Sequence, residues 1–455
     1  MSVSLTFESG VSTVTGANFL LALERSNILI DCGLIQGSAD ASITNRQKFS
    51  YNPEDIDFLF ITHAHLDHVG RIPKLVKDGF KGVIYSTPET KALARLILDD
   101  AVTILDKEAR RDGVLPLYES VHIEEAFSLW QEIPYHEHRQ INDELEVYLY
   151  DAGHILGSAM IECTITKGDG TKKILFTGDL GNSPTPLLRD TEAVEHVDYL
   201  IMESVYGDRN HEPKDMRRKK LQTIIHDTVK RGGALIIPAF SLERTQVILY
   251  ELNHLVEHNL IPSIPIFVDS PLATKVTEIY RNSGMLFNEK VKEEISNGDD
   301  IFNFPRLKFT MNRYDSQKIY NMPNPKIILA GSGMSVGGRV VNHEAHFLPD
   351  PRSTILLVGY QTLGTLGRTL QDGAKKVLIN EEHVPVKAHI ETILGYSSHK
   401  DSDHLVEFVE GMGNKIQKVF VVMGEPKAAL FLVQKLRDNL GVDALYPKRG
   451  EKYEL

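Results

Sequence analysis

Along this chain, short apolar runs that read as strands are followed again and again by stretches with helical spacing. Phe58-Leu59-Phe60-Ile61 is a continuous apolar run of strand length, the pattern of a buried strand, and helical spacing is suggested over 70–78. Residues 145–150 alternate apolar and polar side chains, as a half-buried strand does. Further on, Leu235-Ile236-Ile237-Pro238-Ala239-Phe240-Ser241 runs into a helical pattern over 242–257. Ile266-Phe267-Val268-Asp269 runs into another over 272–281, and Lys326-Ile327-Ile328-Leu329-Ala330 leads through Gly331-Ser332-Gly333-Met334 to a helix around 337–347. Alternating strands and helices predict an α/β protein with a mainly parallel sheet under helical cover. Ligands of such sheets bind beyond the carboxyl ends of the strands. At 455 residues the chain is long enough for two or three structural units.

The chemistry sits at the tips of the strands. Residues 61–68 read Ile-Thr-His-Ala-His-Leu-Asp-His, which puts His63, His65, Asp67 and His68 directly after an apolar run. Neutral imidazole nitrogens and carboxylate oxygens are the natural ligands of zinc. On extended backbone, His63 and His65 point the same way because side chains alternate with period two, and Asp67 and His68 fall where a helix begins, within reach of a second ion. Two more ligand-type residues end strands elsewhere: His154 follows the strand at 145–150, and Asp179 follows Leu175-Phe176. A lone His or Asp in such a place is usually structural, but six together predict a two-metal hydrolytic site, with Asp179 the carboxylate that bridges the ions.

These residues resemble the signature of the metallo-β-lactamase superfamily. His63-Ala64-His65-Leu66-Asp67-His68 is similar to its HxHxDH motif, Asp31 to its first motif, and His154 and Asp179 to its third and fourth. The resemblance implies a four-layer αββα sandwich with the metals at one edge. Later blocks resemble the β-CASP insertion found in nucleic-acid-cutting members of that superfamily. Glu203 is similar to motif A, Pro238-Ala239-Phe240-Ser241-Leu242-Glu243-Arg244-Thr245-Gln246 to the PAFxxxRTQ segment, Asp269-Ser270-Pro271 and Gly331-Ser332-Gly333-Met334 to two further blocks, and His399 to motif B. The pattern looks most like short bacterial and archaeal ribonucleases similar to the endonuclease subunit of the cleavage and polyadenylation specificity factor. It implies a metallo-β-lactamase domain over 1–207, an inserted α/β β-CASP domain over 208–390, and a return segment over 391–455.

The resemblance also implies a mechanism. Single-stranded RNA enters a cleft between the domains, Asp67 orients the attacking water at a two-zinc site, and His399, held by Glu203, protonates the leaving oxygen. One position departs from the family. Where motif C places a His, Val421-Val422-Met423-Gly424-Glu425 has Met423. A thioether suits copper(I) better than zinc, so His63, His65, His154 and Asp179 keep a full set. A second site on Asp67, His68, Asp179 and water is expected to be weak or to hold manganese. The same departure leaves open a catalytically impaired RNA-binding or scaffold subunit. A metallo-hydrolase acting on DNA or a small molecule is a third reading. Endonuclease and 5′-exonuclease action both stay open.

Composition fits a soluble cytoplasmic enzyme. No apolar run approaches the ~20 residues that span a membrane, and no signal-peptide pattern begins the sequence. Only Cys32 and Cys163 occur, so no disulfide framework exists and a reducing compartment is expected. The net charge of −12 at first opposes a nucleic-acid partner, but it is uneven: residues 208–390 hold 24 Lys+Arg against 20 Asp+Glu, while the rest holds 26 against 42. Arg217-Arg218-Lys219-Lys220 reads more simply as a solvated helix face than as a phosphate site. Ser241, Arg244, Ser332, Gly333 and Arg339, beside turns whose exposed N–H groups suit phosphate oxygens, are the expected substrate contacts. Homodimers are common in the family, so a dimer is a further expectation by analogy.

Overall fold

The computed structural model describes residues 3–37, 40–167, 170–213, 215–362, 364–413 and 416–455. It divides into two compact units: residues 1–210 with 399–455, and residues 211–398.

The first unit is built on two seven-stranded sheets. Strands Asn27–Ile30, Phe58–Phe60, Val83–Ser86 and Trp130–Glu132 run parallel, and Asn18–Ala22, Ser4–Ser9 and Lys452–Glu454 extend the same sheet in antiparallel fashion. The second sheet mirrors this plan. Gly170–Phe176, Tyr199–Met202, Lys418–Val421 and Ala444–Leu445 are parallel, and Ala159–Lys167, Leu145–Asp151 and Arg139–Asn142 are antiparallel. The period-two alternation of the strands explains the layering. Ile28, Ile30 and Phe60 meet Val147, Ile161, Phe176 and Phe420 in one core between the sheets, with Phe7 and Phe420 ring centroids 5.2 Å apart. Leu29, Leu59 and Ile84 point the other way and are fully buried too. Behind the second sheet, Leu175, Leu200, Val419 and Val421 pack with Leu405, Leu432 and Leu436 of helices Ser402–Gly411 and Pro426–Leu440. This is the αββα order that the resemblance implied.

The expected helix over 70–78 is two short ones, Leu66–Val69 and Ile72–Lys77. Pro73 has no N–H to continue a helical ladder and fits only the first turn of a new helix. As a result Asp67 and His68 stand in the first turns after the strand.

The second unit carries a six-stranded, all-parallel sheet in the order Leu307–Phe309, Ile266–Asp269, Lys326–Ala330, Ala234–Pro238, Thr354–Leu357 and His389–Thr392. Helices Arg244–Glu257, Pro271–Asn282 and Val340–Phe347 fall where the periodicity put them. Among the described residues, no helix is long and apolar enough to cross a membrane.

Candidate metal centre

Every ligand-type residue picked out from the sequence stands just past a strand end at one edge of the first unit. Asp31, His63, His154, Asp179 and Glu203 follow strands Asn27–Ile30, Phe58–Phe60, Leu145–Asp151, Gly170–Phe176 and Tyr199–Met202. Rigid strands with buried side chains hold each of them, as a precise constellation requires.

Four of these residues form a closed set: His63, His65, His154 and Asp179. His65 Nδ1 lies 3.1 Å from His63 Nε2 and 3.2 Å from His154 Nε2. Asp179 Oδ2 lies 3.4 Å from His63 Nε2 and 3.6 Å from His154 Nε2. An ion about 2.0–2.1 Å from four tetrahedral ligands sets neighbouring ligand atoms roughly 3.3–3.4 Å apart. These four separations are close to those between neighbouring ligands of a zinc-sized ion. Burial, and then the charge of neighbouring imidazoles, pushes His65 and His154 well below the usual histidine range, so both offer neutral nitrogens. Burial works against the charge of Asp179, but His68 and His63 outweigh it and hold the carboxylate ionised.

A second, thinner set lies beside the first. His68 Nε2 is 3.5 Å from Asp179 Oδ1 and 3.9 Å from Asp67 Oδ2. His68 Nε2 and Asp179 Oδ1 are both buried without a hydrogen-bond partner. Orphaned buried polar atoms are rare and need a reason; a cation between them supplies one. His68 is aimed by Asp31: Nδ1 sits 2.7 Å from Asp31 Oδ2, and Asp31 also accepts from Thr62 N at 2.8 Å and Thr62 Oγ1 at 2.7 Å. Ligating imidazoles are commonly held this way by a carboxylate behind them.

Met423 lies near this second set. It is buried in the core between the sheets. A Cβ placed on Gly10 would come within 2.9 Å of its sulfur, so the thioether is packed against the strand turn at Gly10. Its backbone φ is +48°, uncommon for a side chain of this size. With Asp31, Thr62, His68 and Glu203 it helps line a small cavity with room for about one water molecule.

His399 approaches from the chain's return to this unit. It bridges to Gly181, and Lys400 N donates to the Leu180 carbonyl at 2.9 Å, which ties it to the loop that carries Asp179. His399 Nδ1 is 3.3 Å from both carboxylate oxygens of Glu203 and 3.9 Å from Asp179 Oδ2. Glu203 is fully buried, and Oε1 accepts from Leu180 N at 2.6 Å. Burial opposes the charge on His399, but Glu203 and then Asp179 and Asp67 raise it to about 9. The His399 ring is 23 % exposed, so it reaches solvent. Thr62 is a participant that the sequence reading missed. Besides gripping Asp31, its hydroxyl lies 3.1 Å from His63 Nδ1. The one available signal was its position directly before His63.

The expected substrate contacts lie in the second unit, on the carboxyl edge of its parallel sheet. Ser241 Oγ is 3.3 Å from Ser270 Oγ. The Arg244 guanidinium donates to the Val358 carbonyl. Ser332 Oγ accepts from Val336 N at 2.9 Å. Gly333 leaves no room for a side chain, since a Cβ would come within 2.6 Å of the Phe240 ring. Arg339 stands apart from the others. It donates to the fully buried Asp269 at 2.6 Å and to the Thr310 and Met311 carbonyls at 3.1 and 3.0 Å, so most of its fork is already used. Asp269 also accepts from Ser316 at 2.5 Å and faces His343 at 2.7 Å, and is held well below the usual carboxylate range although burial works the other way.

Sandwich, strand-end ligands and paired cation sets together define a metal-dependent hydrolase of the metallo-β-lactamase superfamily, and residues 13–145 match that superfamily. Residues 245–370 match the Beta-Casp domain, and residues 383–447 match the Zn-dependent metallo-hydrolase RNA specificity domain. A ribonuclease of Thermus thermophilus is 34 % identical over 92 % of this chain and 92 % of its own length. An RNase J-like protein of Methanocaldococcus jannaschii is 30 % identical over 98 % and 99 %. A transcription termination factor of Methanosarcina mazei is 32 % identical over 97 % of this chain and 70 % of its own. The chain belongs to the β-CASP family of metallo-β-lactamase-fold nucleases. A crystal structure of an Enterococcus faecalis protein of unknown function, 15 % identical over the full length of both chains with a TM-score of 0.58, shares the fold.

Proposed function

We propose that this protein is a zinc-dependent ribonuclease that hydrolyses phosphodiester bonds of single-stranded RNA. The observation that carries the reading is the quartet of His63, His65, His154 and Asp179 with the His399–Glu203 pair beside it, in a chain related along nearly its whole length to a ribonuclease. His63, His65, His154 and Asp179 would hold the first ion, and Asp67, His68 and Asp179 the second. Bound zinc supplies positive charge for the phosphate oxygens and lowers the pKa of an attacking water toward ~7. Asp67 accepts a hydrogen bond from that water and aims it. His399 gives its proton to the departing oxygen, and Glu203, buried behind it, orients the ring and stabilises its protonated form. Ser241, Arg244, Ser332, Gly333 and Arg339, in the second unit, are the expected contacts of the strand.

The deciding experiment is His399→Ala on labelled single-stranded RNA, with zinc content measured in parallel. General acid catalysis is typically worth ~10²–10⁴-fold, so cleavage should fall within that range while zinc content stays unchanged. Loss of a metal would show that His399 is a ligand, and unchanged cleavage would remove it from the reaction. One observation favours a second reading, a catalytically impaired RNA-binding subunit: Met423 turns its sulfur into the core and leaves the second set with three protein ligands. Wild-type protein that binds zinc and RNA but cuts neither RNA nor DNA, even with added zinc or manganese, would establish that reading.

A further inference from the structure

The carboxyl edge of the six-stranded sheet carries apolar side chains where a soluble protein has least reason to put them. Five of its six strands are followed within a few residues by a large exposed apolar side chain: Met311, Val336, Phe240, Tyr360 and Leu394. The sixth strand ends in the buried Asp269. Scattered exposed apolar residues are ordinary, but a row of them along one edge marks an interaction surface. This is also the edge at which parallel sheets take their ligands.

Two of the five are aromatic, and their strands are neighbours. Phe240 follows Ala234–Pro238 and Tyr360 follows Thr354–Leu357, which pair directly. Phe240 is fixed from below. Its carbonyl accepts from Thr245 Oγ1 at 2.7 Å and Thr245 N at 3.2 Å, and its ring leans on the Gly333 backbone. Yet 43 % of Phe240 and 40 % of Tyr360 stay in solvent. Arg244 is anchored beside the second of these strand ends: it donates to the Val358 carbonyl and comes within 2.8 Å of where a Cβ on Gly359, the residue before Tyr360, would stand. A fixed guanidinium on the same sheet edge as two open rings complements a chain that alternates anionic linkages with flat, sequence-tolerant faces.

We propose that this edge is a landing surface for single-stranded RNA, on which Phe240 and Tyr360 stack two bases while Arg244 meets the phosphate between them. The identity of the ligand as RNA rests on the ribonuclease reading above. The stacking surface itself rests on the geometry of the second unit.

The test measures binding of a fluorescent ten-nucleotide RNA with phosphorothioate linkages, so that it survives the measurement, to the full-length chain. An abasic strand of the same length is the control. Base–aromatic stacking is worth ~1–3 kcal/mol per base, so Phe240→Ala and Tyr360→Ala should each weaken RNA binding about 5- to 150-fold. Phe240→Trp should restore it, which excludes a folding defect, and the abasic strand should bind wild type and Phe240→Ala alike. Unchanged RNA affinity in the Phe240→Ala/Tyr360→Ala double variant overturns the proposal. So does a double variant whose sedimentation changes while its RNA affinity does not, because the edge would then join protein copies. The two readings separate cleanly. Wild type that binds RNA through Phe240 without cutting it keeps this surface and ends the ribonuclease reading. Wild type that cuts RNA as well as the double variant does keeps the ribonuclease and ends this surface.

Discussion

Replacing Asp31 by Asn changes one atom at the base of the second ligand set. The backbone will accept it, since Asp31 has φ +60° and Asn is among the few side chains at ease there. Asp31 is buried and acts only as an acceptor, taking hydrogen bonds at 2.7–2.8 Å from Thr62 N, Thr62 Oγ1 and His68 Nδ1. An amide keeps Oδ1 for Thr62 N but turns Oδ2 into a donor. The Thr62 hydroxyl can rotate to accept from it. His68 cannot adapt without moving its proton from Nδ1 to Nε2, the atom that otherwise faces Asp179 Oδ1 across 3.5 Å. To take a cation, His68 must return to the first tautomer and set two donors against each other. A buried donor left unmade costs about 1–3 kcal/mol, or 5- to 150-fold in affinity, in line with the ~10–100-fold typical of partners behind a ligating imidazole. The first set should be spared, because Asp31 touches none of His63, His65, His154 or Asp179. Zinc titration of stripped protein by calorimetry should give one unchanged tight site and one weakened by that factor, with cleavage recovering in excess metal. Two unchanged affinities would show that Asp31 does not set the His68 tautomer. Loss of the tight site would show that the two sets cannot be separated.

Three further outcomes are expected. Met423→His should return a nitrogen donor to the second set, raise its occupancy in a metal titration and reduce any need for added metal; no gain would mean that the pocket around residue 423 has drifted too far to use it. Arg339→Ala should destabilise the chain by about 1–3 kcal/mol in denaturant melts, because it removes a hydrogen-bond donor from buried Asp269; undiminished stability with weakened RNA binding would show that Arg339 serves the substrate and not the fold. Glu344 is fully buried, with Oε2 unpartnered, and burial pushes it up to about 7 although Ser335 donates to it. A carboxyl raised in the folded state favours folding below its unfolded pKa and loses that contribution as pH rises toward 7. Glu344→Gln should therefore match wild type near pH 4 and be more stable by on the order of 2–3 kcal/mol at pH 8; a difference independent of pH would refute the assignment.

How much of this was legible in the sequence depended on whether the signal was local. The octet at 61–68 carries its own strand end and its own ligand spacing, so it could be read without a fold. The strand–helix alternation from 234 to 347 was legible for the same reason, because each apolar run is bounded by its own turn and helical period. What the sequence hid was long-range pairing. Arg339 is an expected phosphate contact because it follows a Gly-rich turn; its pairing with the buried Asp269, 70 positions earlier, is what no local pattern reveals. Thr62 escaped notice because a threonine at a strand end is ordinary until Asp31, 31 positions away, folds onto it. Phe240 was read only as part of a motif, since its exposure depends on how the neighbouring strands end.

The contact between His399 and Glu203 spans 196 residues, and that separation has a consequence in time. A ribosome delivers Asp179, and with it the last of the quartet, well before it delivers His399. Roughly 220 residues lie between Asp179 and His399, about 10–45 s of synthesis at ~5–20 residues per second. On the proposed assignment, an unfinished chain still attached to its own messenger lacks the acid to complete a cut, and it lacks strands Lys418–Val421 and Ala444–Leu445 of the sheet that carries Asp179 as well. On that assignment, the order in which the chain is made would itself protect the transcript that encodes it.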